Sequence, residues 1–227
     1  HWRFGNYVTA FFQANIMQYF FNSVLVTVVT IILTVIIAAM SSYAISRMIW
    51  KGRELTLKLV LMGMMVPIHA AMLPLFIILS KAHMLNSYIS LIIPYIAFGL
   101  PMAIYLFISF MESLPREMEE AAAIDGCGIY QMFFKIIYIQ LPLLMPTITI
   151  NLFVSIAGAF KAFDIPLSLT SGGPANSTQT IALNIYNDAF GSFKMGYGSA
   201  KSIILFLLVG IIALIQLKIT RKREVQM

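Results

Sequence analysis

EEAAAIDGCG, Glu119 to Gly128, interrupts a chain that is otherwise mostly Leu, Ile, Phe and Met. Scattered charges would serve solubility; this cluster has an internal order. Pro115 suits a first helical turn. Glu117, Glu119 and Glu120 then crowd a helix N-terminus, where the macrodipole favours negative charge. Ala121, Ala122 and Ala123 are strong helix formers with little bulk. Gly126 and Gly128 can end or bend the helix. Beyond them Ile129, Met132, Phe133, Ile136 and Ile137 recur at helical spacing and give one apolar face. The segment from Met111 to Gln140 therefore reads as a short acidic helix, a glycine turn and an amphipathic helix. Its small residues and acids fit a surface gripped by a partner; a capped helix lying on a membrane accounts for the same residues.

The surroundings decide what such a helix is attached to. Of the 227 residues, 60% are hydrophobic and 11% charged, against about 25% charged in soluble domains. The bilayer must be the solvent. Five stretches approach the roughly 20 apolar residues of a spanning helix: Phe20–Ile45, Leu57–Leu79 with Pro67 and Pro74, Ile89–Phe110 with Pro94 and Pro101, Leu141–Phe163, and Ser199–Ile219. Backbone polar groups in hydrocarbon need internal partners. The expected fold is accordingly an all-α, polytopic transmembrane helical bundle. The prolines predict kinked helices able to bend around a cavity. The single cysteine, Cys127, excludes an internal disulfide, and no Cys/His cluster has metal-ligand spacing.

A formal net charge of +6 could suggest nucleic acid. The basic residues instead flank the apolar spans, as membrane orientation requires, so no nucleic-acid partner is expected. Arg47, Lys51, Arg53, Lys58, Arg116, Lys135, Lys218, Arg221, Lys222 and Arg223 collect on one side, against Arg3, Lys81, Lys161, Lys194 and Lys201 on the other. The richer side, with the acidic helix and the C-terminus, is predicted to be cytoplasmic. Five spans then put residues 1–19 outside as an extracytoplasmic segment, and a sixth span is expected before His1. Residues 20–227 form the transmembrane domain, with 111–140 as its cytoplasmic loop.

The acidic stretch resembles the signature cytoplasmic loop of bacterial ABC importer permeases: Glu-Ala-Ala, three residues, Gly, nine residues, Ile, one residue, Leu-Pro. Glu120-Ala121-Ala122, Gly126 and Ile136 follow that pattern, while Leu-Pro falls three residues late, at Leu141-Pro142. LNSYISLIIPYIAFGLPMAIYLF, SLPREMEEAAAIDG and TSGGPANSTQTIALNIYNDAF are similar to the carbohydrate branch (maltose and multiple-sugar type) of the binding-protein-dependent inner-membrane family. The resemblance covers essentially the whole chain. It implies a permease subunit of an ATP-driven importer that translocates a sugar or oligosaccharide by alternating access, in a bacterial inner membrane. The acidic helix is then the coupling helix, seated in a groove of a separate ATPase. The implied roles are charge pairing by Glu120, close packing by Ala121 and Ala122, and a turn at Gly126 supported by Asp125, with Glu119 also among the coupling residues. The implied partners are a dimer of ABC ATPase subunits carrying ATP and Mg, a second homologous permease and an extracytoplasmic sugar-binding protein. No cofactor is expected on this chain.

No nucleotide site of its own is evident. GYGSAKS, Gly196–Ser202, lacks the glycines that a phosphate-binding loop needs at Met195 and Ala200. Polar groups within spans are candidates for a substrate path: His69, Asn151, Ser155, Lys161 and Asp164, with Phe153, Phe160 and Phe163 as nearby rings for stacking. Interhelical hydrogen bonding explains Asn151 and Ser155 equally, and snorkelling explains Lys161. The turn-rich TSGGPANSTQT, Thr170–Thr180, is either a face for the binding protein or a plain connector. No nucleophile with a base, nor a metal cluster, marks an enzyme, so no catalytic residues are expected. Two alternatives stand beside sugar import. An ion-coupled secondary transporter would carry paired intramembrane carboxylates, and an importer of the same type could carry a solute such as a glycerol phosphate.

Overall fold

The computed structural model describes residues 4–12, 15–113, 115–128, 131–134, 149–150, 152–161 and 163–221. The elements are helices: α1 (Gly5–Phe12), α2 (Ile16–Ser46), α3 (Arg53–Gly63), α4 (Ile68–Lys81), α5 (Ile89–Ser113), α6 (Glu117–Ile124), α7 (Leu152–Lys161), α8 (Asp164–Leu169), α9 (Ile181–Tyr186), a π-helical turn (Asn187–Gly191) and α10 (Met195–Arg221). Among the described residues, α2, α5 and α10 are each long and apolar enough to cross a membrane, and α3 with α4 would make a fourth crossing if that bent pair is one span. The expected span Leu141–Phe163 is described only at 149–150, 152–161 and 163, and is helical apart from residue 163.

The largest helix pair is α2 with α5. Lipid is as apolar as leucine, so such helices associate through close packing of small side chains. Ala38 and Ala103 are buried at this seam with Ile104 and Phe107, and Gly99 leaves room for the Thr34 methyl.

One expectation needs correction. Leu57–Leu79 was expected as one kinked span; instead α3 and α4 meet at 104° across Met64–Pro67. Pro67 is extended, with φ −69° and ψ 127°, and its ring keeps the preceding residue out of helical geometry. Pro94 and Pro101, by contrast, sit buried inside one continuous α5. Pro74, though exposed, also stays inside an unbroken α4, so burial alone does not decide which proline breaks its helix.

The segment Thr170–Thr180 is firmly built. Thr178, Gln179 and Thr180 are buried. Asn22 Nδ2 donates to Gln179 O at 3.0 Å, and Ser23 Oγ accepts from Ile181 N–H at 3.1 Å. Tyr88 Oη lies 2.7 Å from Ser177 O and 2.9 Å from Asn22 Oδ1; its single proton serves one acceptor at a time. The start of α2 and the start of α5 thus clamp this segment. Tyr88→Phe is expected to leave two acceptors without that donor and to lower stability by about 1–3 kcal/mol. Thermal unfolding in detergent measures it, and an unchanged Tm would show the segment to be held otherwise.

Lys201, counted above among the few basic residues of one membrane side, is only 2% exposed. Its ammonium donates to Asn184 Oδ1 at 2.6 Å and to Asp188 Oδ2, and sits 4.6 Å from the centre of the Tyr197 ring. Burial of that charge follows from the π-helical turn, which carries Asp188 back over α10. Gly198 allows the approach: a Cβ there would meet Ala189 Cβ at 2.7 Å. Gly198 of GYGSAKS therefore serves helix packing.

Candidate functional site

Two features stand out, one at each level of the bundle. The first is α6. Its three glutamates lie in the first turn, as the dipole favours. Its C-terminus closes in a Schellman turn: Gly126 N–H reaches Ala123 O and Cys127 N–H reaches Ala122 O, both at 3.0 Å, with Gly126 at φ +75°. Asp125 is the C-cap residue, its backbone N–H bonded to Ala121 O. Nothing lies within 4 Å of a Cβ built on Gly126, so its surroundings are open.

The glutamates divide by facing. Glu119 turns inward, 3.4 Å from the Arg47 guanidinium at the end of α2, with side chains 21% and 5% exposed. Arg47 also donates to Met111 O at the end of α5. This arginine fastens the acidic helix to both long helices. Glu120, Ala121, Ala123 and Asp125 face outward, Ala122 is half-buried, and Ile124 is 86% exposed. Ile124 was passed over in the sequence reading; the signal was an isolated branched apolar residue in a helix of acids and alanines. Past the turn, residues 131–134 are helical, Met132 and Phe133 pack toward the α2–α5 core, and Phe133 meets Tyr43 edge-on at 5.2 Å. Ile129, Ile136, Ile137 and Leu141-Pro142 lie outside the described residues.

The second feature is a cavity of about 770 Å³ between α2, α4, α5, α7 and α8. Its size falls in the range of about 300–1,000 Å³ usual for ligand sites. The structure brings four of the candidate path residues to its wall: His69, Ser155, Lys161 and Asp164. His69 Nδ1 lies 3.5 Å from Asp164 Oδ2, joining the first turn of α4 to the first of α8. Asp164 Oδ1 accepts from Ile165 N–H at 3.1 Å. Phe160 is placed elsewhere: it is buried against Phe20, with ring centres 5.7 Å apart. Of the rings expected nearby, Phe163 lines the cavity, joined there by Tyr95 and Phe98. Asn151 lies outside the described residues.

Sequence reading also missed Thr27, Thr30 and Thr34, which line the same cavity. They recur three and four residues apart, one helical face. Embedded among Val and Ile, they read as part of an apolar run.

The sequence model describing binding-protein-dependent transport system inner membrane components matches residues 36–225. The chain is 44% identical over 129 residues to a probable starch degradation products transport system permease protein, AmyD, of Thermoanaerobacterium thermosulfurigenes, covering 57% of this chain and 42% of that protein. It is 37% identical over 171 residues to the diacetylchitobiose uptake system permease protein NgcG of Streptomyces coelicolor, covering 75% and 56%. A putative ABC transporter permease, ORF2, of Caldicellulosiruptor is 32% identical over 213 residues, covering 93% and 73%. The chain thus spans about half the length of AmyD and NgcG. Among solved structures, it is similar to a bacterial ABC transporter involved in import of the acidic polysaccharide alginate. The TM-score is 0.75 at 18% identity, over 97% of this chain and 84% of that one. This likeness is one of fold.

Proposed function

Because the chain belongs to the family of binding-protein-dependent transport system inner membrane components, we propose that it is a pore-forming permease subunit of an ATP-driven importer for a sugar or oligosaccharide. It works by alternating access and performs no covalent chemistry. ATP and Mg belong to a pair of ATPase subunits, a second permease completes the pore, and an extracytoplasmic binding protein delivers the sugar. The loop carrying α6 and the C-terminus face the cytoplasm.

The observation that carries this reading is the outward face of α6. An isoleucine 86% exposed, beside Glu120 and Ala121 and before an open glycine turn, fits a groove better than it fits water. Narrow side chains admit a close partner, and the acids offer charge complementarity. Names of the relatives, which transport starch degradation products and diacetylchitobiose, support the cargo class. Every described carboxylate outside α8 and the π-helical turn lies in a loop, on α6 or at a helix end. That pattern lacks the paired intramembrane acids of an ion-coupled transporter.

The test is co-purification of the ATPase subunit from the native host. Wild-type chain should retain a phosphate-loop ATPase. Ile124→Asp removes a central apolar anchor, worth about 2 kcal/mol or more, and should weaken association roughly 30-fold. Gly126→Trp should do the same by filling the open turn at a left-handed φ. A well-folded wild-type chain that retains no ATPase would overturn the importer reading.

A further inference from the structure

Among the described residues, four buried side-chain oxygens or nitrogens lack a hydrogen-bond partner: Thr30 Oγ1, Thr34 Oγ1, Tyr95 Oη and Gln216 Oε1. The first three line one cavity. Elsewhere in the bundle buried hydroxyls are satisfied. Ser42 donates to Ile104 O at 3.1 Å, Ser46 to Ser42 O at 2.7 Å, Ser90 to Ser87 O at 2.7 Å, and Thr170 to Pro166 O at 3.0 Å. A helical threonine can return its proton to the preceding turn, as Thr170 and Thr220 do; Thr30 and Thr34 do not. An unpaired buried hydroxyl is costly, so three around one cavity point to a ligand that supplies the missing partners. Thr34 is only 6% exposed and packs against Gly99. Two side-chain rotamers are open to a helical threonine, which lets it swing its hydroxyl toward the cavity.

Charge sorts along the same wall. Ile165, next to Asp164, packs in one cluster with Val26 and Tyr95, so His69, Asp164 and the Tyr95 ring sit toward the Thr27 end. Thr34 lies about 10 Å farther along α2. Phe98, Gly99 and Met102 line the cavity without charge, and Lys161, the one lysine among the described residues of its wall, shares it with Asp164. A carboxylate or phosphate would find no net positive charge on this wall, because Asp164 offsets Lys161, and its burial would be costly. A sugar hydroxyl both donates and accepts, matching Thr and Tyr in both senses, while Phe98 and Met102 suit the C–H face of a sugar ring.

We propose that Thr30, Thr34 and Tyr95 form a subsite that reads the hydroxyl groups of an uncharged sugar during its passage through the cavity that α2 and α5 line. This rests on the sugar-importer reading above and narrows its cargo to neutral sugars.

The experiment uses the complete transporter, with its ATPase, second permease and binding protein, in proteoliposomes. Uptake is measured for maltose, cellobiose, N,N′-diacetylchitobiose, an alginate disaccharide and glycerol 3-phosphate. Wild type should import a neutral sugar. Thr30→Val, Thr34→Val and Tyr95→Phe keep volume but remove the hydroxyl; each should lower kcat/KM for that sugar about tenfold. The Tm of each variant should hold or rise, because an unsatisfied group has been replaced by an apolar one. Loss of uptake without loss of stability is what a structural role would not produce. Unchanged uptake in the triple variant would overturn the subsite. Preference for the alginate disaccharide would overturn it too, while leaving sugar import standing. Import of glycerol 3-phosphate and no sugar would sink the sugar reading, and the subsite with it.

Discussion

Lys201→Met is expected to lower the Tm of the purified chain in detergent by roughly 6–12 °C, the equivalent of about 3 kcal/mol in a protein of this size. The lysine is almost fully buried, and its removal strands Asp188, whose carboxylate has lost its cation in a poorly solvated corner. Methionine nearly matches the lysine stem in length, so packing changes little and the measured loss reports the charge. The pair itself need not be stabilising: replacing both members by apolar residues is often neutral or better. Lys201→Met combined with Asp188→Leu should therefore recover most of the lost Tm. Recovery would show that the network mainly fixes how the π-helical turn sits on α10. If the single variant melts within 1 °C of wild type, the corner is wet and the pair is dispensable.

A second large effect is expected at the root of the acidic helix. Arg47→Glu places a carboxylate beside Glu119 and removes the donor to Met111 O. Breaking a buried pair costs about 3–5 kcal/mol, and repulsion adds to it. The helix α6 should detach from the ends of α2 and α5, seen first as faster proteolysis between Leu114 and Gly128. On the importer function proposed above, uptake by the assembled transporter should fall by about 100-fold or more, since 3 kcal/mol corresponds to that change in the population of the docked arrangement. Adding Glu119→Arg restores the attraction with its polarity reversed. Rescue should be partial, because a glutamate at position 47 cannot donate to Met111 O. Full uptake in Arg47→Glu alone would refute the fastening role.

The acidic helix was legible because its information is local. Charge at the first turn, alanines in the middle and glycine at the C′ position each act within a few residues, and the structure places the helix and its left-handed glycine where they were expected. Facing was not legible. Glu119 and Glu120 are adjacent and chemically identical, and only the position of Arg47, far along the chain, separates anchor from outward group. Proline shows the same limit. Pro67 breaks a helix while Pro74, Pro94 and Pro101 do not, and the residue type is the same in all four. At the cavity, β-branched threonines passed for valines, and Phe160 turned to Phe20 because its helix presents that ring to α2. Lys201 read as a boundary charge because the acid that neutralises it belongs to a different element.

α2 has 31 residues, a rod of about 46 Å. One end is bonded through Asn22 and Ser23 to the Thr170–Thr180 segment, the other through Arg47 to α6, and the threonines of the cavity lie between. A rod held at both ends and loaded in the middle is a lever. Tilting it by about 5° carries the far end roughly 4 Å, close to the diameter of a methyl group. One stiff helix can thus report events at either face of the bundle to the other, and feel what occupies its midpoint, with no chain of intermediate rearrangements.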